Sequence, residues 1–377
     1  MKKVLIVQRR LTHYRVPFFE NLKGVMRQNG IELILAHGVA DSIEAKKNDH
    51  GEIDWALVLN THYYLNGKIC WQPFSHLMQD VDAIVIGHEN KLIFNLIPQW
   101  FYKNKKVILW GHGANLQKEN HDWKDFFKSI TAKKADWWLA YTQMSVPLIE
   151  KCGFPKDRIT VLNNSIDTKT FYEDFNNLTE ENILNTREKY NIFSDNLGIF
   201  IGSLYEEKRL VFLIESVQKI RKKYPDFEII IAGNGPQRDL VENYTNKYPW
   251  IHYVGLVRSV EKASLLSISK VILNPGLVGL GILDSFISQT PMITTDCKIH
   301  SPEVVYLENG KNGIMTSNNL DDYSDAVIDL ISDPQLLVKL IEGCKLSGEK
   351  YTLDNMVLNF TKGVVSALNN SSCRFSL

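Results

Sequence analysis

Short apolar runs separated by helix-spaced segments constrain this chain more than any other feature. The runs VLIV (4–7), IELILA (31–36), AIVIG (83–87), VILWG (107–111), WWLAY (137–141) and ITVLN (159–163) are of strand length and rich in β-branched or aromatic residues. Between most of them the apolar spacing turns helical. In VPFFENLKGVMRQNG, Phe18, Phe19, Leu22 and Val25 share one face, Pro17 suits a first turn and Gly30 marks the stop. Strands apolar on both faces and joined by helices predict a parallel sheet covered on both sides.

After Phe171 the pattern lapses into the polar stretch YEDFNNLTEENILNTREKYNIFSDN, and a second alternating series starts at LGIFIGSL (197–204). It continues through FEIIIAG (227–233), IHYVGLV (251–257), VILNPG (271–276), PMITTD (291–296) and GIMTS (313–317). A chain of 377 residues has room for two such cores. The expected organisation is two doubly wound α/β domains, residues 1–175 and 190–350. A C-terminal helix within 351–377, where NMVLNFTKGVVSAL is amphipathic, is expected to pack back toward the first domain. Ligands of such sheets lie beyond the carboxyl ends of the strands, so a substrate is expected in a cleft between the two domains.

Composition narrows the partners. Lys+Arg and Asp+Glu each number 43 and apolar residues make up 44%, which excludes a disordered chain and a basic nucleic-acid footprint. The five cysteines, Cys70, Cys152, Cys297, Cys344 and Cys373, are odd in number and never in a CxxC spacing. Neither a disulfide framework nor a zinc site is indicated, and a reducing cytoplasm fits. The first apolar run ends at Val7 before Gln8, Arg9 and Arg10, too short for a signal segment. No window reaches the roughly 18 apolar residues of a membrane span, so any membrane contact is expected to be peripheral.

The second series carries the more informative chemistry. Its first strand ends in Gly202-Ser203-Leu204-Tyr205-Glu206-Glu207-Lys208-Arg209, which puts two cations just before a helix. Cations oppose the helix dipole there, so a role in neutralising phosphate charge is favoured over mere solvation of a helix start. The next strand runs into Ala232-Gly233-Asn234-Gly235-Pro236, which suits either a tight turn or close approach of backbone to a ligand. The six-residue dinucleotide fingerprint is absent, which argues against a dehydrogenase. VILNPG opens into Leu277-Val278-Gly279-Leu280-Gly281-Ile282-Leu283-Asp284, read as a loop entering a helix whose free N–H groups form an anion site. Asp284 suits a ribose contact and equally a favourable interaction with the helix dipole.

These motifs resemble those of the family 4 retaining glycosyltransferases. The resemblance is carried by the Gly-x-Leu-x-x-Glu-Lys turn, Ala-Gly-x-Gly-Pro, the Gly-x-Gly loop leading to Asp284 and Pro291, and Glu308-Asn309-Gly310-Lys311-Asn312-Gly313. In the first half it extends to His13-Tyr14-Arg15-Val16-Pro17-Phe18-Phe19, Trp110-Gly111-His112-Gly113 and Val161-Leu162-Asn163-Asn164-Ser165-Ile166-Asp167. It implies a GT-B fold of two Rossmann-like domains facing a cleft. It also implies transfer of a sugar from a nucleoside-diphosphate sugar with retention, and no cofactor or required metal. Two positions depart from the family pattern: Ser203 stands where an arginine is usual, and Gly276 where the first of two glutamates is usual.

On this reading Lys208, Arg209 and His112 are the expected catalytic residues. The donor is expected at Gly202, Ser203, Lys208, Arg209, Gly233, Gly235, Val257, Gly279, Leu280, Gly281 and Asp284. The acceptor, a glycan or lipid-linked sugar, is expected at His13, Tyr14, Arg15, Glu89 and Asn90. Trp71-Gln72-Pro73-Phe74, Lys103-Asn104-Lys105-Lys106 and Lys133-Lys134 read either as solvated faces or as contacts with the cytoplasmic face of a membrane. The expected setting is bacterial cell-surface polysaccharide or glycolipid assembly. Two alternatives stay open, a nucleotide-sugar 2-epimerase, whose Gly-Thr-Arg-Pro-Glu start is absent, and a non-catalytic sugar-nucleotide-binding subunit.

Overall fold

The computed structural model of the protein describes residues 1–47, 49–113 and 130–371. They divide into two compact units, Met1–Asp167 with Leu353–Leu377, and Thr168–Thr352. The first unit contains β1 (Lys2–Gln8), β2 (Ile31–His37), β3 (Leu57–Val58), β4 (His62–Tyr64), β5 (Ile69–Trp71), β6 (Ala83–Gly87), β7 (Lys106–Gly111), β8 (Trp137–Ala140) and β9 (Ile159–Val161). Seven of these form one parallel sheet in the order β3-β2-β1-β6-β7-β8-β9, while β4 and β5 pair as an antiparallel hairpin.

Alternation along the strands feeds two cores. Val4 and Ile6 of β1, with Ile108 and Trp110 of β7, belong to one apolar cluster. Leu5 and Val7, with Val107 and Leu109, belong to the other. Successive side chains point to opposite faces, so an unbroken apolar strand needs cover on both sides. The helices Val16–Gln28 and Leu353–Asn369 cover the first face. Phe18 meets Phe360 at 5.4 Å and Trp110 at 5.6 Å between ring centroids. Gly363 lets the last helix lie close to the sheet, since a Cβ there would fall 2.4 Å from Leu139 Cδ2. Each buried phenylalanine contributes about 1.5–3 kcal/mol.

The second unit repeats the plan with β10 (Leu197–Ile201), β11 (Glu228–Ala232), β12 (Ile251–Gly255), β13 (Val271–Leu273), β14 (Met292–Thr295) and β15 (Gly313–Thr316). Its parallel sheet has the order β12-β11-β10-β13-β14-β15. The chain thus winds one way from β10 and then the other way from β13. In the first unit the same reversal falls between β1 and β6. The crevice outside the carboxyl ends of the strands at such a reversal is where open α/β sheets take ligands.

The division of the chain differs from the sequence expectation. The helix Thr168–Asn176, placed with the first half by sequence, packs in the second unit against the helices Ser259–Ser267 and Ile282–Ile287. The apolar run does end at Phe171, but its ring lies under Lys262, with Nζ 4.2 Å from the centroid. Packing partner, not periodicity, decides membership. The polar stretch that follows forms the helix Glu180–Tyr190, closed at its start by a reciprocal Thr179/Asn182 capping box and at its end by Asn191 in the left-handed conformation.

Candidate functional site

The site is built where β10 and β13 diverge. Beyond β10, the turn Glu206–Lys208 is a single 3-10 turn, and Arg209 takes a left-handed conformation at φ 57° to start the helix Leu210–Lys223. Beyond β13, the segment 274–281 lies against that turn. Leu277 N donates to Glu207 O at 2.8 Å, and a Cβ on Gly276 would stand 2.1 Å from the same oxygen. Glycine at 276, where the resemblance leads one to expect a carboxylate, is therefore required by the contact between these two loops.

Lys208 is 7% exposed, and its Nζ donates to Leu277 O. Burial is the main influence on its ammonium and holds it down at about 8 from the ordinary 10.5, while Cys297 and Glu207 act weakly the other way. A buried cation without a carboxylate partner is poised to gain from an anion. Nearby are backbone donors. Among the described residues, the N–H groups of Gly279, Leu280 and Gly281 meet no protein acceptor. The helix that follows, Ile282–Ile287, is only six residues long, so these N–H groups offer hydrogen bonds more than a large dipole.

A residue that sequence reasoning missed fixes this loop. His300 Nδ1 accepts from Val278 N at 3.0 Å, and its Nε2 donates to Thr295 O at 2.7 Å. Those partners set a neutral tautomer with the proton on Nε2. Ser301 N donates to Val278 O at 2.9 Å, so the segment after β14 grips both polar groups of Val278. Cys297 Sγ lies 3.4 Å from His300 Nε2. Burial raises that thiol, but His300 and the backbone N–H of Ile299 outweigh it and the net displacement is downward. His300 is a lone histidine between a strand and a proline, and no spacing signal singled it out.

The remaining candidates of the second unit take several places. Arg209 Nη1 donates to Pro275 O at 3.1 Å, Thr295 Oγ1 at 3.1 Å and Asn318 Oδ1 at 2.6 Å, with its guanidinium 4.2 Å from the Phe212 ring centroid. It thereby staples the ends of β13, β14 and β15. Gly233 and Gly235 are required by chain packing, since added Cβ atoms would fall 1.8 Å from Gly202 O and 2.5 Å from Leu204 O. Ser203 is exposed and Val257 is buried. Asp284 Oδ1 accepts from Lys262 Nζ at 2.5 Å, with both side chains largely buried.

In the first unit, Arg15 is 7% exposed, donates to Asn164 Oδ1 at 2.8 Å and has its guanidinium over the rings of Tyr14, Trp110 and Tyr141. Arg15 thus joins the strand-end packing of its own unit. His112, exposed just beyond β7, meets Tyr141 edge-on at 4.2 Å. His13 is exposed, with Nδ1 3.4 Å from Asp49 O. Glu89 pairs with Arg9 at 3.3 Å, beside exposed Asn90. The aromatic and basic stretches are partly absorbed: Gln72 Nε2 donates to Gln8 O at 3.2 Å and Arg9 O at 3.1 Å, Phe74 is core, Lys105 donates to Gln79 O at 2.6 Å and Lys134 lies over Trp100. Cys70, Cys152, Cys297 and Cys344 are free thiols, and Cys373 lies outside the described residues. Among the described residues no group of three His, Cys, Asp or Glu side chains could hold a metal, and no helix is long and apolar enough to cross a membrane.

Two Rossmann-like units with parallel sheets define the GT-B fold, and a solved structure agrees. The crystal structure of Anabaena HepE in complex with UDP matches with a TM-score of 0.71 at 13% identity, over 97% of this chain and 100% of that one. Residues 195–333 match the family described as glycosyl transferases group 1. An uncharacterized glycosyltransferase of Methanocaldococcus jannaschii is 30% identical over 310 residues, spanning 71% of this chain and 73% of that one. The chain belongs to the group 1 glycosyltransferases. It is also 24% identical over 199 residues to the alpha-monoglucosyldiacylglycerol synthase of Acholeplasma laidlawii, covering 51% of this chain and 48% of that enzyme.

Proposed function

We propose that the protein transfers a sugar from a nucleoside diphosphate to an acceptor hydroxyl, with retention at the anomeric carbon, and that the second unit holds the donor. The observation that carries this reading is Lys208, a buried ammonium bonded to Leu277 O in the loop that runs on to the N–H groups of Gly279, Leu280 and Gly281, at the reversal of the sheet. Such donors act on a departing diphosphate, where negative charge builds, and in a site sheltered from water they stabilise it strongly. They supply charge balance without a divalent cation. Asp284, anchored by Lys262 through one oxygen, is the residue this reading assigns to ribose.

Because HepE is seen with UDP, a uridine donor is the first choice. The Acholeplasma relative is named for the synthesis of alpha-monoglucosyldiacylglycerol, and a lipid-borne or glycan hydroxyl is the corresponding acceptor, to be taken by the first unit. Bacterial cell-surface glycolipid or polysaccharide assembly at the cytoplasmic membrane face is the setting that follows. The test is a panel of nucleoside diphosphates scored by thermal shift, followed by hydrolysis of the matching nucleotide sugars. One nucleoside diphosphate raising the melting temperature, with slow release from its sugar conjugate, is the expected result. Binding without turnover, even with acceptor extracts, points to a non-catalytic subunit instead.

A further inference from the structure

We propose that the β4–β5 hairpin and the adjoining turn 39–44 form an apolar finger that enters the surface of a lipid bilayer. This rests on the reading of a lipid-borne acceptor. The finger is unusual in its own chemistry. Leu65 at the hairpin tip sits at φ 51°, followed by Asn66 at 54° and Gly67 at 80°. A bulky apolar residue is disfavoured in that conformation, where glycine, asparagine or aspartate is normal. Leu65 is nevertheless 69% exposed, and its neighbour Tyr64 53%. Neither burial nor backbone preference accounts for a leucine here.

The exposure continues across a second segment. Tyr63 Oη donates to Val39 O at 2.8 Å, and a Cβ on Gly67 would lie 3.1 Å from Asp41 Oδ2. Asp41 Oδ1 in turn accepts from Ile43 N at 2.9 Å and Glu44 N at 2.8 Å. These bonds hold Val39 and Ile43, 45% and 68% exposed, beside the hairpin tip. Exposed Lys68 borders it. Leucine and isoleucine at the tip with tyrosine and lysine at the margin is the composition that suits a membrane–water interface.

Position and area choose the occupant. Gln72, directly after β5, donates to the carbonyls of Gln8 and Arg9. That ties the hairpin to the carboxyl end of β1, beside the reversal between β1 and β6 where this sheet is expected to take its ligand. A second copy of the chain is a poor fit, because four side chains fall short of the about 800 Å² per partner that a stable dimer buries. A bilayer accepts a small apolar tip without demanding shape complementarity.

The test uses the full chain with vesicles of phosphatidylglycerol and phosphatidylethanolamine, without donor or acceptor. Wild type is expected to co-sediment, and to do so even in roughly 1 M salt, where the Debye length is about 3 Å and lysine attraction is screened. Leu65→Asn places a residue that suits the backbone, so its melting temperature holds or rises while vesicle partition falls about tenfold. Ile43→Ser combined with Tyr64→Ser is expected to do the same. Nucleoside diphosphate binding and nucleotide-sugar hydrolysis stay at wild-type levels in all three proteins. Equal sedimentation of wild type and variants, absence of wild-type binding, or a wild-type dimer that Leu65→Asn dissociates would each overturn the proposal. Because hydrolysis is measured separately, none of those outcomes by itself removes the transferase reading.

Discussion

Lys208 Nζ donates to the carbonyl oxygen of Leu277, so the cation of one strand-end turn is held by the backbone of the other. The charge is thereby fixed on the loop that carries the N–H groups of Gly279, Leu280 and Gly281 before any ligand arrives. Lys208→Ala is expected to lower turnover about 10²–10³-fold, as loss of a preorganised donor does. Melting temperature should change little, because a poorly solvated ammonium is removed with its one anchoring bond. Turnover close to wild type in steady-state kinetics would exclude Lys208 from the chemistry.

Protonation of the same group sets a pH profile. Below pH about 8 the buried ammonium keeps its charge, and above it the charge is lost. Nucleoside diphosphate affinity should therefore fall above that point, by up to about tenfold per pH unit. Lys208→Arg stays charged and should flatten the curve, read by titration calorimetry. Folding responds in the opposite sense: between about 8 and the ordinary 10.5 the unfolded chain holds a proton that the folded one has released, so this group's contribution to stability rises with pH.

On the proposed function Asp284, paired with Lys262, serves the ribose and not the phosphates, and this can be tested. Asp284→Ala should weaken a nucleoside diphosphate about tenfold, the worth of a hydrogen bond to a charged group, and leave inorganic diphosphate unchanged. It also leaves Lys262 without its partner in a largely buried position, at a cost of about 1–3 kcal/mol. Equal losses for both ligands would place Asp284 outside the ribose contact.

His300 acts through Val278. His300→Ala removes the acceptor of Val278 N–H and the donor to Thr295 O, and should raise the donor KM several-fold more than it lowers kcat. His300→Asn, able to accept and donate at one side chain, should recover part of the loss. A uniform fall in melting temperature with unchanged KM would reduce His300 to a packing role.

Metal chelation gives the simplest check on charge balance. If Lys208 and backbone donors serve the diphosphate as proposed, excess EDTA should leave turnover within about twofold. A loss restored by magnesium or manganese would show that a cation carries part of that charge.

The central strands were legible because they are runs that are apolar on both faces. β1 reads as VLIV in sequence and is buried from Val4 to Val7 in the structure. The loop from Gly276 to Gly281 was equally legible as glycines after a strand, and so was the cation at 208. What escaped was set by contacts between distant residues: His300 is 22 positions from Val278, and Lys262 is 22 positions from Asp284. Neither pair leaves a periodic trace. β3 is two residues long and shows no alternation. The β4–β5 hairpin did carry a signal, the Asn66-Gly67 pair, but its strands of three residues each are too short for apolar spacing to mark.

The helix Leu353–Asn369 completes the core of the first unit, although residues 168–352 of the chain intervene. During synthesis from the ribosome, the second unit can close its sheet while the first still waits for Phe360 and Val364. Until those residues emerge, Phe18 and Trp110 have each other and Phe19 but lack Phe360. The half of the protein made first is thus finished last, and until then the helix Val16–Gln28 alone covers that face of its sheet.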